Sequence, residues 1–96
     1  MAARRFRILG ESDRAAAEAF LARTPDTAMF LRSNLAHAGI VDRGKPYQGI
    51  YVGAFAGAGL VGLAALYWNG NMILQCAAAD AVALAGETLA AALPRP

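Results

Sequence analysis

The chain offers few side chains that could act as a nucleophile, a general base or a metal ligand. Cys76 is the only cysteine and His37 the only histidine, and the sequence places them on different predicted elements. A thiol nucleophile needs a nearby histidine or cation to lower its pKa, and a structural zinc ion needs four cysteine or histidine ligands. The seven carboxylates are scattered among helix starts and loops. We therefore assign no catalytic residue and expect no metal site.

A second group of residues combines aromatic rings with amides near the end of a predicted strand, which is a composition suited to ligand binding. Three of its members are consecutive and precede a turn, and two lie on a predicted helix outside its apolar stripe. The candidates for substrate binding are Arg32, Asn34, Tyr67, Trp68 and Asn69. The alternative is that the tyrosine and the tryptophan belong to the core, with their polar tips at its rim.

The stretch from residue 47 to residue 76 contains no charged residue, so it is either a membrane span or a protein core. Residues 50–68 are close to the roughly 20 apolar residues that a transmembrane helix needs. Four glycines within that run and the Asn69-Gly70 pair after it favour strands at residues 49–55, 60–67 and 72–76. The glycine spacing does not predict a nucleotide-binding loop, since it lies between strands and not before a helix. A single-span membrane protein remains the less favoured alternative.

The rest of the chain predicts one strand and three helices. The strand includes residues 6–9, and the helices cover residues 14–23, 26–38 and 81–93. Ser12 or Asp13, and later Asp80, stand where an N-cap oxygen accepts from free helix N–H groups. The residues expected to face the core are Ala16, Ala19 and Phe20 in the first helix, Ala28, Met29, Phe30, Leu31, Leu35 and Ala38 in the second, and Val82, Leu89 and Leu93 in the third.

Length and composition predict one small domain spanning residues 1–96, in the α+β class, as an α/β sandwich of order β-α-α-β-β-β-α with a mostly antiparallel sheet. The chain is 57% hydrophobic and only 17% charged, against about 25% charged in a typical domain, so we expect a partner surface, such as a homo-oligomer. One cysteine allows no internal disulfide and suits the cytoplasm. The net charge of +2 and a single arginine cluster predict no nucleic-acid partner.

Three segments resemble a bacterial subgroup of the GNAT-type N-acetyltransferases. Residues 29–35, MFLRSNL, followed by Gly39, resemble the second helix of that subgroup. Residues 51–55 and 60–64, YVGAF and LVGLA, resemble the hairpin of its second and third strands, and residues 67–71, YWNGN, are similar to the turn that follows. The resemblance covers most of the chain, and it implies acetyl-CoA as the cofactor and acyl transfer to an amine.

The resemblance also implies which part of the family's site this chain contains. The strand at residues 72–76 would place backbone amides beside the acyl thioester. Leu74 and Gln75 are the expected cofactor-binding residues, and Gln75 matches the first position of the family's pyrophosphate loop. In the family a glycine-rich loop then holds the pyrophosphate at a helix N-terminus, whereas residues 75–80, QCAAAD, contain no glycine and end in an acidic residue. The family's C-terminal strands and its general-acid tyrosine have no counterpart before Pro96.

The sequence leaves two functions open. The first is an incomplete or non-catalytic GNAT-like domain, truncated relative to the full family fold, that works with a second GNAT module in acetyl-CoA-dependent N-acyl transfer. The alternative is a small interaction module without enzymatic activity that dimerises through strand edges or through its alanine-rich last helix.

Overall fold

The structure is a computed structural model that describes residues 3–24 and 28–93. A four-stranded antiparallel sheet of order β1-β2-β3-β4 is combined with three helices, which confirms the predicted α+β class and the order of the elements. The elements are β1 (Arg4–Ile8), α1 (Arg14–Ala22), α2 (Met29–Ala38), β2 (Gly49–Ala56), β3 (Gly59–Tyr67), β4 (Met72–Gln75) and α3 (Ala81–Ala92). Short 3-10 turns at Glu11–Asp13 and Ala78–Asp80 precede α1 and α3.

The uncharged stretch forms β2, β3 and β4, as its glycines predict. The two hairpin turns contain Gly57 and Gly70, with φ of 60° and 85°, a region that an L-residue enters only at a cost. Residues 50–68 therefore form two strands and the turn between them. Within the described residues, no helix is both long enough and apolar enough to cross a bilayer.

Helices cover the sheet on both faces. On one face α1 and α2 pack through Leu21, Leu31 and Leu35 against Tyr51 and Leu63 of the sheet. On the other face the alternate strand residues, which include Val52, Ala54 and Ala64, pack against Leu84 of α3. Because successive side chains of a strand point to opposite faces, both sets of strand residues are buried. This explains why the stretch carries no charge on either face.

The buried faces of α1 and α2 differ in part from the prediction. In α1 the buried residues are Ala17, Phe20 and Leu21, whereas Ala16 and Ala19 are exposed. In α2 the predicted Leu31 and Leu35 are buried, but Met29 is exposed and Phe30 is 69% exposed. The predicted start of this helix at residue 26 lies outside the described residues.

The prediction for α3 is wrong, because the helix turns its opposite side to the sheet. Leu84 and Thr88 are buried, while Leu89 and Leu93 are exposed and Val82 is 86% exposed. The Thr88 hydroxyl donates a hydrogen bond to the Leu84 carbonyl oxygen at 2.7 Å, so a polar side chain can face the core without an unpaired group. In a helix in which half of the residues are alanine, the hydrophobic pattern does not select a face.

The two predicted N-cap carboxylates make other contacts. Asp13 accepts hydrogen bonds from the Gly10 N–H at 2.9 Å and from both terminal nitrogens of Arg7 at 2.8 and 2.9 Å. Asp80 occupies the N-cap position of α3, but its carboxylate lies 3.3 Å from Arg4 Nε. Both acidic residues therefore tie β1 to the start of a helix.

The Asp13 contacts predict a stability that depends on pH. The hydrogen bond from Arg7, followed by the one from the Gly10 N–H, lowers the pKa of Asp13. The resulting stabilisation is present above the unfolded-state pKa of about 3.9 and is lost as the pH falls through the folded-state pKa. We expect Asp13→Asn to lower the melting temperature slightly at neutral pH, with a smaller difference in high salt, because Arg7 is exposed.

Thermal unfolding followed by circular dichroism from acidic to neutral pH checks this expectation. Asp42→Asn, at an exposed loop position, is the control. If the wild type and Asp13→Asn lose stability equally on acidification, the contacts of Asp13 do not contribute to the acid dependence.

Candidate functional site

A concavity of about 330 Å³ lies at the end of the sheet where β3 passes into β4. We call it the aromatic cavity. Among residues 3–24 and 28–93, no charged side chain lines it, and it brings together four of the five residues predicted to bind substrate. The lining residues are Phe30, Asn34, Tyr47, Tyr67, Trp68, Asn69, Asn71 and Ile73.

The remaining predicted residues lie elsewhere. Arg32 lines a different concavity on α2, together with Glu18 and Met29. Leu74 packs against the cluster under α3, and Gln75 stands opposite Leu63 in the β3–β4 ladder. The two residues expected to contact the cofactor are therefore on β4, the strand whose Ile73 lines the aromatic cavity, but neither is among the lining residues.

Three rings of the cavity stand at steep angles to one another. The Tyr47 and Trp68 ring centroids are 4.7 Å apart with an interplanar angle of 49°, and the Tyr67 and Trp68 centroids are 6.3 Å apart at 70°. Tyr47 is 49% and Trp68 47% exposed, whereas Tyr67 is buried. Tyr67 is thus anchored in the core while the other two rings reach solvent.

The buried Tyr67 is held by a second tyrosine. The hydroxyl oxygens of Tyr51 and Tyr67 are 3.2 Å apart, and the two rings meet edge to face with centroids 6.0 Å apart. Burial, followed by this hydrogen bond, raises the pKa of Tyr51. Tyr51 therefore stays protonated at neutral pH and serves as a hydrogen-bonding support for Tyr67.

Tyr47 occupies a backbone conformation that is unusual for its residue type. It has φ of 67° and is the only described non-glycine residue with a positive φ. The Gln48 N–H donates to the Lys45 carbonyl oxygen at 3.2 Å, which closes a turn with Pro46 and Tyr47 in its two central positions. A positive φ at the second central position is typical of a type II turn, where glycine is preferred. An L-residue there costs about 1–2 kcal/mol.

Gln48 fixes this turn, a role that its sequence context did not predict. Its Oε1 accepts hydrogen bonds from the Arg43 N–H at 2.8 Å and the Lys45 N–H at 3.2 Å, and its Nε2 donates to the Ala38 carbonyl oxygen at 3.2 Å. Its own carbonyl oxygen accepts from the Trp68 N–H at 3.1 Å. The side chain is buried. One residue therefore connects the end of α2, the loop and the turn that holds Trp68. The only signal in the sequence is a polar residue at the border between a charged loop and an uncharged strand.

Cys76 and His37 do not form a nucleophilic pair. Cys76 packs into the cluster beneath α3, whereas His37 meets the Tyr47 ring on the side of α2. Burial, followed by the charge of Asp80, raises the pKa of the Cys76 thiol, which disfavours the reactive thiolate. Among residues 3–24 and 28–93, no group of three or more His, Cys, Asp or Glu side chains could hold a metal ion.

The outer edge of β4 presents free backbone groups. The Tyr67 N–H donates to the Asn71 carbonyl oxygen at 2.8 Å, and hydrogen-bonded pairs alternate along an antiparallel ladder. In the register that pairs Leu66 with Met72 and Ala64 with Leu74, Met72 and Leu74 therefore direct their N–H and C=O groups away from β3. A strand or an extended ligand with amide groups can pair with them.

The two edges of the sheet differ in charge. β1 carries Arg4, Arg5 and Arg7, all of which are exposed, whereas the four residues of β4 are uncharged. Charged side chains are a common means of preventing edge-to-edge pairing. By this criterion β1 is protected and β4 is open to association.

Comparison with known proteins does not identify the chain. No family model matches it, and the searches of curated proteins and of solved structures found no match. The function therefore has to be inferred from the aromatic cavity and from the edge of β4.

Proposed function

We propose that this chain is a GNAT-like domain that takes part in acetyl-CoA-dependent acyl transfer to an amine and is incomplete as a catalytic unit. The observation that supports the proposal most is the open, uncharged edge of β4, which is separated from α3 by one short turn. The sequence resemblance and the order β-α-α-β-β-β-α agree with this reading. A second GNAT module or a second copy of the chain would complete the sheet or the site.

In this proposal the acyl donor lies along β4. The outward N–H and C=O groups of Met72 and Leu74 would pair with the amides of the pantetheine arm, with Gln75 at the far end of the strand. Ile73, on the same strand, lines the aromatic cavity. A thioester bound at this edge would therefore be next to an acceptor held by Asn34, Tyr67, Trp68 and Asn69.

The phosphates of the donor would need another surface. The turn before α3 contains no glycine, and the Asp80 carboxylate lies at the N-terminal end of the helix, where the helix dipole would otherwise favour an anion. Arg4 is engaged with that carboxylate at 3.3 Å. We therefore expect this chain to contribute the acyl end of a donor site and not its pyrophosphate end.

NMR chemical shifts of the backbone amides of the intact protein test the proposal. Millimolar acetyl-CoA or S-acetylpantetheine, which lacks the nucleotide, should shift the amides of Met72 and Leu74. The control is the pair of β1 amides that point away from β2, those of Phe6 and Ile8. Their direction follows from the Leu9 N–H, which donates to the Tyr51 carbonyl oxygen, because hydrogen-bonded and non-hydrogen-bonded pairs alternate along the β1–β2 ladder. Unchanged β4 amides with both compounds would overturn the proposal.

A second function, association through α3, is favoured by one observation. Val82, Leu89 and Leu93 form an exposed apolar stripe on the outer side of this helix, which is costly to leave in water. Sedimentation velocity over a range of concentrations should reveal a dimer that Leu89→Glu abolishes. The control variant, Ala16→Glu at an exposed position of α1, should leave the dimer intact. A monomer at all concentrations would rule this function out.

A further inference from the structure

We propose that the aromatic cavity binds an organic ammonium ion, best a quaternary one, against the ring faces of Tyr47, Trp68 and Phe30. This inference does not rest on acyl transfer, since a quaternary nitrogen has no N–H to be acylated and the ion would occupy the cavity in place of the acceptor proposed above. It follows from the arrangement of the rings, the lack of charge in the lining and the unusual backbone of Tyr47.

The angles between the rings suit a compact ligand better than a flat one. Stacking of a planar base requires ring faces that run parallel to it, but Tyr47 and Tyr67 are tilted by 49° and 70° from Trp68. Rings inclined in this way can contact a compact ligand from more than one side. Phe30, 69% exposed on α2, lines the same cavity.

The electrostatics of the lining favour a cation without hydrogen-bond donors. Aromatic ring faces carry partial negative charge and attract cations within about 6 Å of the ring centroid, so they disfavour an anion. None of the described residues that line it has a carboxylate that would pair with a primary ammonium. The polar groups of its lining residues are the amides of Asn34, Asn69 and Asn71, the hydroxyls of Tyr47 and Tyr67 and the indole N–H of Trp68. Asn69 Oδ1 already accepts the Asn71 N–H at 3.1 Å, and the Tyr67 hydroxyl is paired with that of Tyr51. A methylated ammonium ion requires only the ring faces.

The backbone of Tyr47 indicates that its ring is held in place at a cost. Gly44, three residues earlier in the same loop, has φ of 80°, which glycine adopts freely. Tyr47 adopts a similar value with a full side chain, and Gln48 fixes the turn around it. Strained residues of this kind are concentrated at ligand sites. The strain here places a ring 4.7 Å from that of Trp68.

Choline is the probe that tests the proposal. Its uncharged analogue is 3,3-dimethylbutan-1-ol (dimethylbutanol), in which carbon replaces the quaternary nitrogen. Trp68 is the only tryptophan, so its fluorescence reports directly on the cavity. We expect a saturable change with choline and an affinity about tenfold weaker for dimethylbutanol. Sodium chloride at matched concentration controls for ionic strength.

Two variants of Tyr47 separate the ring from the backbone. Tyr47→Gly relieves the positive φ and should leave the melting temperature unchanged or higher, yet weaken choline binding by about tenfold. Tyr47→Phe should retain binding, and Arg32→Ala, outside the cavity, should behave as the wild type. Equal affinity for choline and dimethylbutanol, absence of saturable choline binding, or full binding by Tyr47→Gly would each overturn the proposal. Preferential binding of adenosine would overturn it in favour of stacking.

Discussion

Gly49→Ala is expected to lower the free energy of unfolding by about 3 kcal/mol. A Cβ atom at this position would lie 2.6 Å from the Leu66 carbonyl oxygen and 2.9 Å from Tyr67 Cδ1. The carbonyl belongs to the neighbouring strand in the β2–β3 ladder, so it cannot retreat without loosening the pairing beside the aromatic cavity. Urea denaturation followed by circular dichroism measures the change.

Two other glycines provide matched controls. A Cβ at Gly86, exposed in α3, would have no atom within 4 Å, and Gly86→Ala should stabilise the protein by about 0.5–1 kcal/mol through helix propensity. At Gly59 the nearest atom would be 3.6 Å away, so Gly59→Ala should not meet the steric conflict expected at Gly49. If Gly49→Ala is as stable as Gly59→Ala, the close approach of β2 and β3 is not as described.

Gln48→Leu is expected to cost about 2–3 kcal/mol in free energy of unfolding. The substitution leaves the Arg43 N–H, the Lys45 N–H and the Ala38 carbonyl oxygen without the partners that they have now. Unpaired groups that water cannot fully reach are the costly part of a lost hydrogen bond. Because the turn of Tyr47 loses its anchor, the emission of Trp68 should also shift to longer wavelength.

The chain's other glutamine supplies the control for this effect. Gln75 is half-buried on β4, and Gln75→Leu should change stability by less than about 0.5 kcal/mol. Chemical denaturation of both variants, monitored by circular dichroism and by Trp68 fluorescence, gives the comparison. Equal stability of the two leucine variants would mean that Gln48 does not organise the loop.

The strands were predictable from the sequence, whereas the buried faces of the helices were predictable only in part. The difference lies in how strongly the local sequence restricts each element. In β2, β3 and β4 the lack of charge and the positions of Gly57 and Gly70 leave few other arrangements. In α3, alanine on most sides makes the possible faces nearly equal in hydrophobicity, and the sheet decides among them by packing around Leu84. The burial of Thr88 depends on a local hydrogen bond that the type of residue alone does not predict.

The candidate site was predictable where its residues are close in sequence. Tyr67, Trp68 and Asn69 are consecutive, and Asn34 faces them from the helix. Tyr47 and Phe30 were missed for different reasons. The first depends on a positive φ that its residue type disfavours, and the second was assigned to the core because it is large and apolar. Arg32 was included for its charge, but its position on α2 directs it to another concavity.

Amide hydrogen exchange of the intact protein tests most directly the central claim that β4, and not β1, is the edge that binds the acyl donor. With acetyl-CoA present, the outward amides of Met72 and Leu74 should exchange more slowly than without it, while those of Phe6 and Ile8 on β1 keep their rates. Exchange at β4 that does not respond to acetyl-CoA, or protection that appears on β1 instead, would contradict the account.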